Sequence, residues 1–305
     1  MKIDRRRFLS STLAGAGGLV LGCAGAGAGR AAAGPPGPFE IVPLGKTGLK
    51  TTRVGLGTGM RGGGRNSDHT RLGRERFEGL LRAAYDRGIR LFDMADMYGT
   101  HPFVGRVLKA MPRDQYTLVT KIWVRRGGLP EAERPGANIL LDRFRKELQT
   151  DYVDVVQIHC MTAATWTDEQ KQQMDLLADL KAKGIVRAHG VSCHSLDALQ
   201  RAAEHPWVDV VHARVNAFGA AMDGPPEKVA PILKTARASG KGIIGMKLVG
   251  EGRFGDDGQK KDESIRWALG PGCVDAMVVG CLSEAEIDDF TGRVAKIVKA
   301  RGAKA

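Results

Sequence analysis

The sequence predicts an α/β fold, a single (β/α)8 TIM barrel preceded by an N-terminal β-hairpin, and two observations lead to this class. First, short apolar or β-branched runs alternate eight times with segments that carry apolar residues at helical spacing, which is typical of parallel β/α units. Second, the length of 305 residues accommodates one such barrel, which commonly requires about 250. The predicted strands cover residues 53–60, 90–95, 117–123, 153–159, 187–194, 208–216, 242–249 and 276–281.

The predicted strands are apolar along most of their length. The run 153–158, Val-Asp-Val-Val-Gln-Ile, suits a sheet that is covered on both faces, as the wall of a barrel is. Gly88, Gly184 and Gly240 stand where three predicted helices should end, because glycine adopts the left-handed conformation that often terminates a helix. A doubly wound open sheet is the alternative, but no Gly-x-Gly-x-x-Gly motif opens a helix after the first strand.

The segments before the barrel are assigned from their composition. Residues 39–50 contain Lys-Thr-Gly between two extended pieces, which indicates a hairpin that closes the bottom of the barrel. The composition of residues 34–38, Gly-Pro-Pro-Gly-Pro, forbids regular hydrogen-bonded structure and indicates a linker. We therefore assign residues 1–33 to a signal segment, 34–38 to the linker and 39–305 to the barrel.

The first 33 residues have the layout of an export signal. The stretch Asp4-Arg5-Arg6-Arg7-Phe8-Leu9 precedes an uncharged apolar run, residues 13–21, and this is the order of a signal peptide. The arginine pair followed by Phe-Leu resembles a twin-arginine signal. A short helix or a membrane anchor is the alternative, but the run is much shorter than the roughly 20 residues that span a bilayer. The sequence thus predicts export of the folded chain by the twin-arginine translocation machinery, to the periplasm or the outer face of the cell envelope.

Two routes of processing remain open. The stretch Val20-Leu21-Gly22-Cys23 resembles a lipobox, which would leave a lipid anchor on Cys23. The three alanines at 31–33 instead offer the small residues that an ordinary signal peptidase requires.

Charge and cysteine content narrow the partners and the compartment. The formal net charge is +12, but no aromatic platform or groove-reading motif accompanies the basic residues, so nucleic acid is not expected as a partner. None of the five cysteines forms a Cys-x-x-Cys pair, so neither a metal–sulfur site nor a disulfide framework is expected. This pattern suits a chain that folds in the reducing cytoplasm before export. Buried packing is expected for Cys160, Cys193 and Cys281, and a thiol switch is the alternative.

Four polar residues stand at the carboxyl ends of consecutive predicted strands, where the chemistry of a (β/α)8 barrel is located. They are Asp93, Tyr98, Lys121 and His159. Together they supply a proton donor for a carbonyl oxygen and the polar partners that tune it. A Tyr has an ordinary pKa near 10, so we expect Lys121 to favour the phenolate of Tyr98, with Asp93 paired to Lys121. His159 is expected to orient the carbonyl group.

At these residues the sequence resembles the aldo/keto reductase family. The resemblance extends from residue 39 to about 290 and rests on six motifs. These are Leu-Gly-Lys-Thr-Gly-Leu at 44–49, Phe-Asp-Met-Ala-Asp-Met-Tyr-Gly at 92–99, Thr-Lys at 120–121, Gln-Ile-His at 157–159, Gly-Val-Ser at 190–192, and Val-Val-Gly at 278–280 with Ser-Glu at 283–284. The resemblance implies that the four polar residues are the catalytic tetrad, with Tyr98 as general acid, and that a hydride passes between NADP(H) and an aldehyde or ketone.

On the cofactor side this sequence departs from the pattern that the resemblance implies. The family has Ser-Asn after strand 5, Gln on strand 6 and an aromatic residue near strand 7, whereas this chain has Ser192-Cys193, His212 and Met246. Ser192 is expected to hydrogen-bond the carboxamide, His212 to donate a hydrogen bond to it, and Met246 to lie against the nicotinamide ring. Leu282 stands where a basic residue often contacts the 2′-phosphate. The resemblance implies NADP as the cofactor, and the lack of a basic residue at position 282 leaves NAD as the open alternative. The remaining cofactor candidates are Lys247 for a phosphate, Gly280 and Ser283.

Two tryptophans are expected at the substrate pocket, and two other functions are considered as alternatives. Trp123 and Trp166 fall in loops at the catalytic end and are expected to wall the substrate pocket. An exported sensor or accessory barrel that binds the cofactor with little turnover is the main alternative. A metal-dependent hydrolase is disfavoured because no His-x-His ends the first strand, and no metal is expected.

Overall fold

The computed structural model describes residues 36–303, and the predicted signal segment lies outside this range. A two-stranded antiparallel hairpin comes first, formed by β1 (Ile41–Pro43) and β2 (Lys50–Thr52). Leu44 in the turn is fully buried and joins the cluster of side chains inside the barrel. The predicted hairpin and its position at the bottom of the barrel are therefore confirmed.

Eight parallel strands close into a barrel in chain order, with the last strand paired to the first. They are β3 (Val54–Gly57), β4 (Leu91–Asp93), β5 (Thr117–Ile122), β6 (Val153–Met161), β7 (Val186–Cys193), β8 (Val210–Arg214), β9 (Gly242–Met246) and β10 (Ala276–Gly280). Each lies within or overlaps a predicted strand. The predicted (β/α)8 TIM barrel is confirmed.

Helices cover the outside of the barrel. They are α1 (Asp68–Arg71), α2 (Arg74–Asp86), α3 (His101–Leu108), α4 (Ala137–Leu148), α5 (Trp166–Glu169), α6 (Lys171–Ala182), α7 (Leu196–Glu204), α8 (Pro226–Ala238), α9 (Gly258–Leu269) and α10 (Glu284–Gly302). Gly88, Gly184 and Gly240 follow α2, α6 and α8 with φ of +105°, +72° and +97°, which is the left-handed conformation expected at these ends.

The core has two layers, as a barrel requires. A small cluster of strand side chains fills the interior, among them Leu91, Val119 and Val155. A larger cluster packs between the strands and the surrounding helices. No helix within residues 36–303 is both long and apolar enough to cross a membrane.

Candidate active site

The inward-facing side chains change from apolar to polar toward the carboxyl ends of the strands. Because neighbours along a strand point to opposite faces, residues two apart share the interior. Leu91 and Val119 belong to the apolar interior cluster, and the next inward positions lie one layer closer to the carboxyl ends of the strands. These positions hold Asp93, Lys121, Gln157, His212 and Met246. Strand alternation thus places a layer of mostly polar side chains next to the apolar interior cluster.

Asp93 and Lys121 form a buried ion pair at the base of this layer. Their side chains are in direct contact, and the Lys121 ammonium also donates a hydrogen bond of 3.0 Å to the main-chain oxygen of Met94. Lys121 is 1% exposed. Burial lowers the pKa of Lys121, and the charge of Asp93 opposes that lowering. The predicted pairing of these two residues is present.

Tyr98 lies at the end of a single 3-10 turn, Asp96–Tyr98, that follows β4. Its hydroxyl is 3.5 Å from Nε2 of His159, and the Lys121 ammonium lies 5.5 Å from the centre of its ring. Two glycines of the β3–α1 loop form a slot around the ring. A Cβ added at Gly59 would lie 2.3 Å from ring atoms of Tyr98, and one added at Gly62 would lie 2.5 Å away. The ring position therefore depends on the absence of side chains at both glycines.

The protonation state of Tyr98 differs from the expectation based on sequence. Burial raises the pKa of Tyr98 above its ordinary value, and the negative charge of Asp93 raises it further. Lys121 does not favour the phenolate as expected, because its ammonium is directed to Asp93 and Met94. The phenol keeps its proton at neutral pH in this arrangement, which suits a group that donates a proton to an oxygen.

The His159 ring contacts the rings of both Tyr98 and Trp123. Burial lowers the pKa of His159 well below its usual range, and the nearby Lys121 ammonium adds to this effect. The imidazole is therefore neutral. The ring of Trp123 lies 5.2 Å from the ring of His159 in an edge-on arrangement, so the structure brings this predicted pocket residue to the tetrad.

Trp166 lies elsewhere, and its assignment to the pocket is corrected. Its side chain is 1% exposed and belongs to the outer core between strands and helices. Its ring neighbours are His205 and Trp207, at 6.0 and 6.3 Å between ring centres. A large apolar ring after a strand can pack either against the surrounding helices or in a pocket. Here the Trp166 ring packs between the strands and the helices.

Ser192 and His212 face each other across β7 and β8, since their Cα atoms are paired in register. The Ser192 hydroxyl oxygen accepts a hydrogen bond of 2.8 Å from the main-chain N–H of Cys160, which leaves its own proton available. Gln157 donates its amide N–H to the main-chain oxygen of Val210 at 3.3 Å, so its oxygen faces Nδ1 of His212 at 3.0 Å. Nδ1 of His212 must then carry the proton.

Nε2 of His212 is consequently a bare acceptor. It is buried and has no hydrogen-bond partner within residues 36–303. Burial lowers the pKa of His212 well below its usual range, so the ring stays neutral. The sequence-based expectation that His212 donates a hydrogen bond is replaced by an acceptor role, since a neutral imidazole carries only one N–H.

The other cofactor candidates lie at neighbouring strand ends. Met246 ends β9 and is half-buried against the interior cluster. Lys247 has a left-handed backbone, with φ of +65°, and pairs with Glu251 at 2.7 Å. Gly280 ends β10, where an added Cβ would lie 2.4 Å from the side chain of Met60. The Ser283 hydroxyl caps α10 by accepting the N–H of Glu286 at 3.3 Å.

Three features of the site were missed by sequence reasoning. The glycine slot at Gly59 and Gly62 was missed because only the fold brings Tyr98 into it. His194 lies with its ring 6.3 Å from His159, and burial lowers its pKa to about 3. Arg125 extends to Cys160 at the edge of the site. The usable signal was position, since His194 ends one predicted strand and Arg125 lies two residues after another.

Four cysteines lie within the described residues, and none of them belongs to a metal-binding group of side chains there. Cys160, Cys193, Cys273 and Cys281 are free thiols. Cys193 and Cys281 are buried, and burial raises the pKa of both. In the part of the chain that the structure describes, no three His, Cys, Asp or Glu side chains are grouped so as to hold a metal ion.

Two known proteins are similar to this chain over more than half of its length. The NADH-specific methylglyoxal reductase of Escherichia coli (strain K12) is 28% identical over 207 residues, which cover 61% of this chain and 61% of that protein. The aldo-keto reductase YhdN of Bacillus subtilis is 28% identical over 249 residues, which cover 75% and 71% of the two chains. The chain thus spans about three fifths of the length of the first relative and seven tenths of the second.

The structural likeness extends over nearly the whole barrel. The holo form of an aldo-keto reductase from Bacillus halodurans superposes with a TM-score of 0.66 at 19% identity, and the match covers 87% of this chain and 96% of that one. At this identity the likeness shows the fold. The model of the aldo/keto reductase family matches residues 53–294, a range that includes all eight barrel strands. This chain belongs to the aldo/keto reductase family.

Proposed function

We propose that this protein transfers a hydride between a nicotinamide cofactor and an aldehyde or ketone, with Tyr98 as the general acid. The observation that carries the proposal is the position of the Tyr98 hydroxyl, 3.5 Å from Nε2 of His159 and next to the buried pair of Asp93 and Lys121. Membership of the family supports an oxidoreductase that acts on carbonyl groups.

The proposed roles follow from the protonation states. The phenol of Tyr98 holds its proton because burial raises its pKa, so it donates that proton to a carbonyl oxygen as negative charge develops there. His159 is neutral and contacts the Tyr98 hydroxyl, which places it to hydrogen-bond the same oxygen. Lys121 and Asp93 form a buried ion pair, so their charges stay in a defined position next to the phenol.

Ser192 and His212 fit the carboxamide of nicotinamide. A primary carboxamide has a carbonyl oxygen that accepts and an N–H that donates. The Ser192 hydroxyl has a proton to donate, and the buried Nε2 of His212 is an unpartnered acceptor on the adjacent strand. This pair therefore matches both ends of the carboxamide. When bound, the cofactor supplies or receives the hydride.

The surroundings of α10 support NADH over NADPH, although the sequence alone favours NADPH. The main-chain N–H of Leu282 already donates to the Glu286 carboxylate at 2.8 Å. A carboxylate at this helix start opposes a second anion such as a 2′-phosphate. Lys261 and Arg293 are both paired with Asp289. The Escherichia coli relative is named as NADH-specific, which agrees with this proposal.

A fluorescence titration of the purified barrel with NADH and NADPH, followed by turnover of a panel of aldehydes and ketones, tests the proposal. We expect micromolar binding, tighter for NADH, and multiple turnovers. Tyr98→Phe should bind the cofactor with unchanged affinity but lose at least about a hundredfold in kcat. Binding without turnover would overturn the enzymatic proposal and favour a sensor. Full activity of Tyr98→Phe would overturn the role of Tyr98.

The proposed place of action is outside the cytoplasm, on the basis of the twin-arginine pattern at residues 5–6. A chain with Arg5→Lys and Arg6→Lys should remain in the cytoplasmic fraction, while the unchanged chain reaches the periplasm or the envelope. Equal distribution of the two chains would contradict export by this route. Labelling with a radioactive fatty acid, with Cys23→Ala as the control, distinguishes a lipid anchor from a soluble product.

A further inference from the structure

The loop between β5 and α4, residues 123–136, is ordered by its own hydrogen bonds. The Arg134 guanidinium donates to main-chain oxygens of the loop at 2.6 to 2.8 Å, and the accepting residues are Arg125, Gly127, Glu131 and Glu133. The Trp123 indole N–H donates to the Gly127 oxygen at 2.7 Å. The loop thus has a defined shape that does not depend on a ligand.

A second loop holds the 123–136 loop in place. The main-chain N–H of Gly64 donates to the oxygen of Gly128 at 2.9 Å. Arg65 forms ion pairs with Glu131 on the 123–136 loop and with Asp96 in the turn that carries Tyr98. The position of the 123–136 loop is therefore fixed relative to the catalytic tyrosine.

Arg125 projects from this loop toward the tetrad. One of its terminal nitrogens, Nη1, lies 3.4 Å from the sulfur and 3.5 Å from the main-chain oxygen of Cys160. Cys160 directly follows His159, and Trp123, two residues before Arg125, has its ring 5.2 Å from that histidine. The Arg125 side chain is exposed.

No carboxylate within the described range 36–303 pairs with Arg125. Among residues 36–303, the hydrogen bonds of its side chain go to Cys160 only. Three other cations near this end of the barrel have carboxylate partners: Arg65 with Asp96, Arg214 with Asp223, and Lys247 with Glu251. A guanidinium has five N–H donors in a planar fork that matches a carboxylate. Arg125 keeps most of them available.

We propose that Arg125 binds an anionic group of the substrate, so that the preferred substrates are aldehydes or keto acids that carry a carboxylate away from the reacting carbonyl. This inference rests on the proposed carbonyl reduction and names its substrate class. In this binding mode the carbonyl oxygen of the substrate contacts Tyr98 and His159. The carboxylate of the substrate binds the Arg125 guanidinium, which lies next to Cys160. Trp123 contacts the carbon chain between the two groups.

Paired substrates test the inference. Succinic semialdehyde is compared with butanal, and 4-carboxybenzaldehyde with 4-methylbenzaldehyde, in the unchanged protein and in Arg125→Gln. We expect kcat/KM to be about tenfold or more higher for the charged member of each pair, since a charge-assisted hydrogen bond favours it. In Arg125→Gln this preference should disappear, because KM should rise for the charged member of each pair.

Arg126→Gln is the matched control, because Arg126 is exposed in the same loop and changes the net charge equally. It should retain at least half of the preference at 0.15 M salt. Equal kcat/KM for charged and neutral substrates, or an equal loss in Arg126→Gln, would overturn the role of Arg125 while leaving carbonyl reduction intact. Absence of turnover with all four aldehydes would contradict the proposed function, and the inference would fall with it.

Discussion

At the scale of single residues, hydrogen-bond partners decide which chemistry each side chain offers. His212 shows this most clearly, because Gln157 is fixed by the main chain of β8 and thereby fixes the proton of His212 on Nδ1. The remaining nitrogen can only accept a hydrogen bond. Tyr98 is a second example, since burial and the charge of Asp93 keep its proton in place. Neither state is visible in the residue types themselves.

Substitution of His212 should separate cofactor binding from catalysis. His212→Leu removes the acceptor, so we expect the dissociation constant for NADH to rise about tenfold, the usual effect of one lost hydrogen bond. His212→Gln restores an acceptor and should recover most of the affinity. Fluorescence titration measures both. The acceptor role is wrong if His212→Leu binds NADH as tightly as the unchanged protein.

At the scale of structural elements, loops position Tyr98. The 3-10 turn Asp96–Tyr98 is fixed from two sides, because buried Asp96 pairs with Arg65 at 3.0 Å and with Arg143 on α4 at 2.7 Å. The β3–α1 loop contributes Gly59 and Gly62, which leave room for the Tyr98 ring. The strands alone therefore do not place the phenol, and two neighbouring loops complete the geometry.

An alanine at Gly59 should displace the Tyr98 ring. Its Cβ would lie 2.3 Å from ring atoms, far inside van der Waals contact, so we expect Gly59→Ala to lower kcat at least about tenfold through misplacement of the proposed proton donor. Gly63→Ala in the same loop is the control, because the nearest atom to its Cβ is 3.9 Å away. Steady-state kinetics and a melting curve are measured for both. Unchanged kcat in Gly59→Ala would contradict the claim that the Tyr98 ring position depends on Gly59.

At the scale of the whole molecule, buried neutral histidines link the fold to pH. His69 on α1 is fully buried, and its Nε2 bonds to the main-chain oxygen of Cys281 at 2.9 Å, so it connects the first and last β/α units. Burial lowers the pKa of His69 to about 4. In the unfolded chain a histidine takes up its proton near pH 6.5. Acid therefore favours the unfolded state in this range.

The free energy of unfolding should reflect this difference in proton uptake. Between about pH 6.5 and 4, His69 contributes a loss of up to about 1.4 kcal/mol per pH unit as the pH falls, and below about pH 4 it contributes no further loss. His69→Gln should reduce the slope by up to one proton in this window only. Urea unfolding at several pH values measures the slope, and identical slopes for both proteins would contradict the assignment.

Sequence reasoning was most successful where the signal is local. The alternation of strands and helices, the hairpin before the barrel and the glycine helix ends were all predicted, because side-chain periodicity and backbone conformation are properties of short segments. The approach of Asp93 and Lys121 also follows from strand alternation, since both point inward at the same level of the barrel. Trp166 was placed wrongly because a local pattern does not distinguish the pocket from the helix layer.

The sequence by itself determined the barrel, its order of elements and the end at which polar side chains gather. Only the tertiary structure decided that the Tyr98 phenol keeps its proton, that Nε2 of His212 is an acceptor, and that the Arg125 side chain has no carboxylate partner among residues 36–303. The physical reason is range. Strands and helices are set by neighbours along the chain, whereas protonation and pairing are set by groups that are distant in sequence and meet only in the folded molecule.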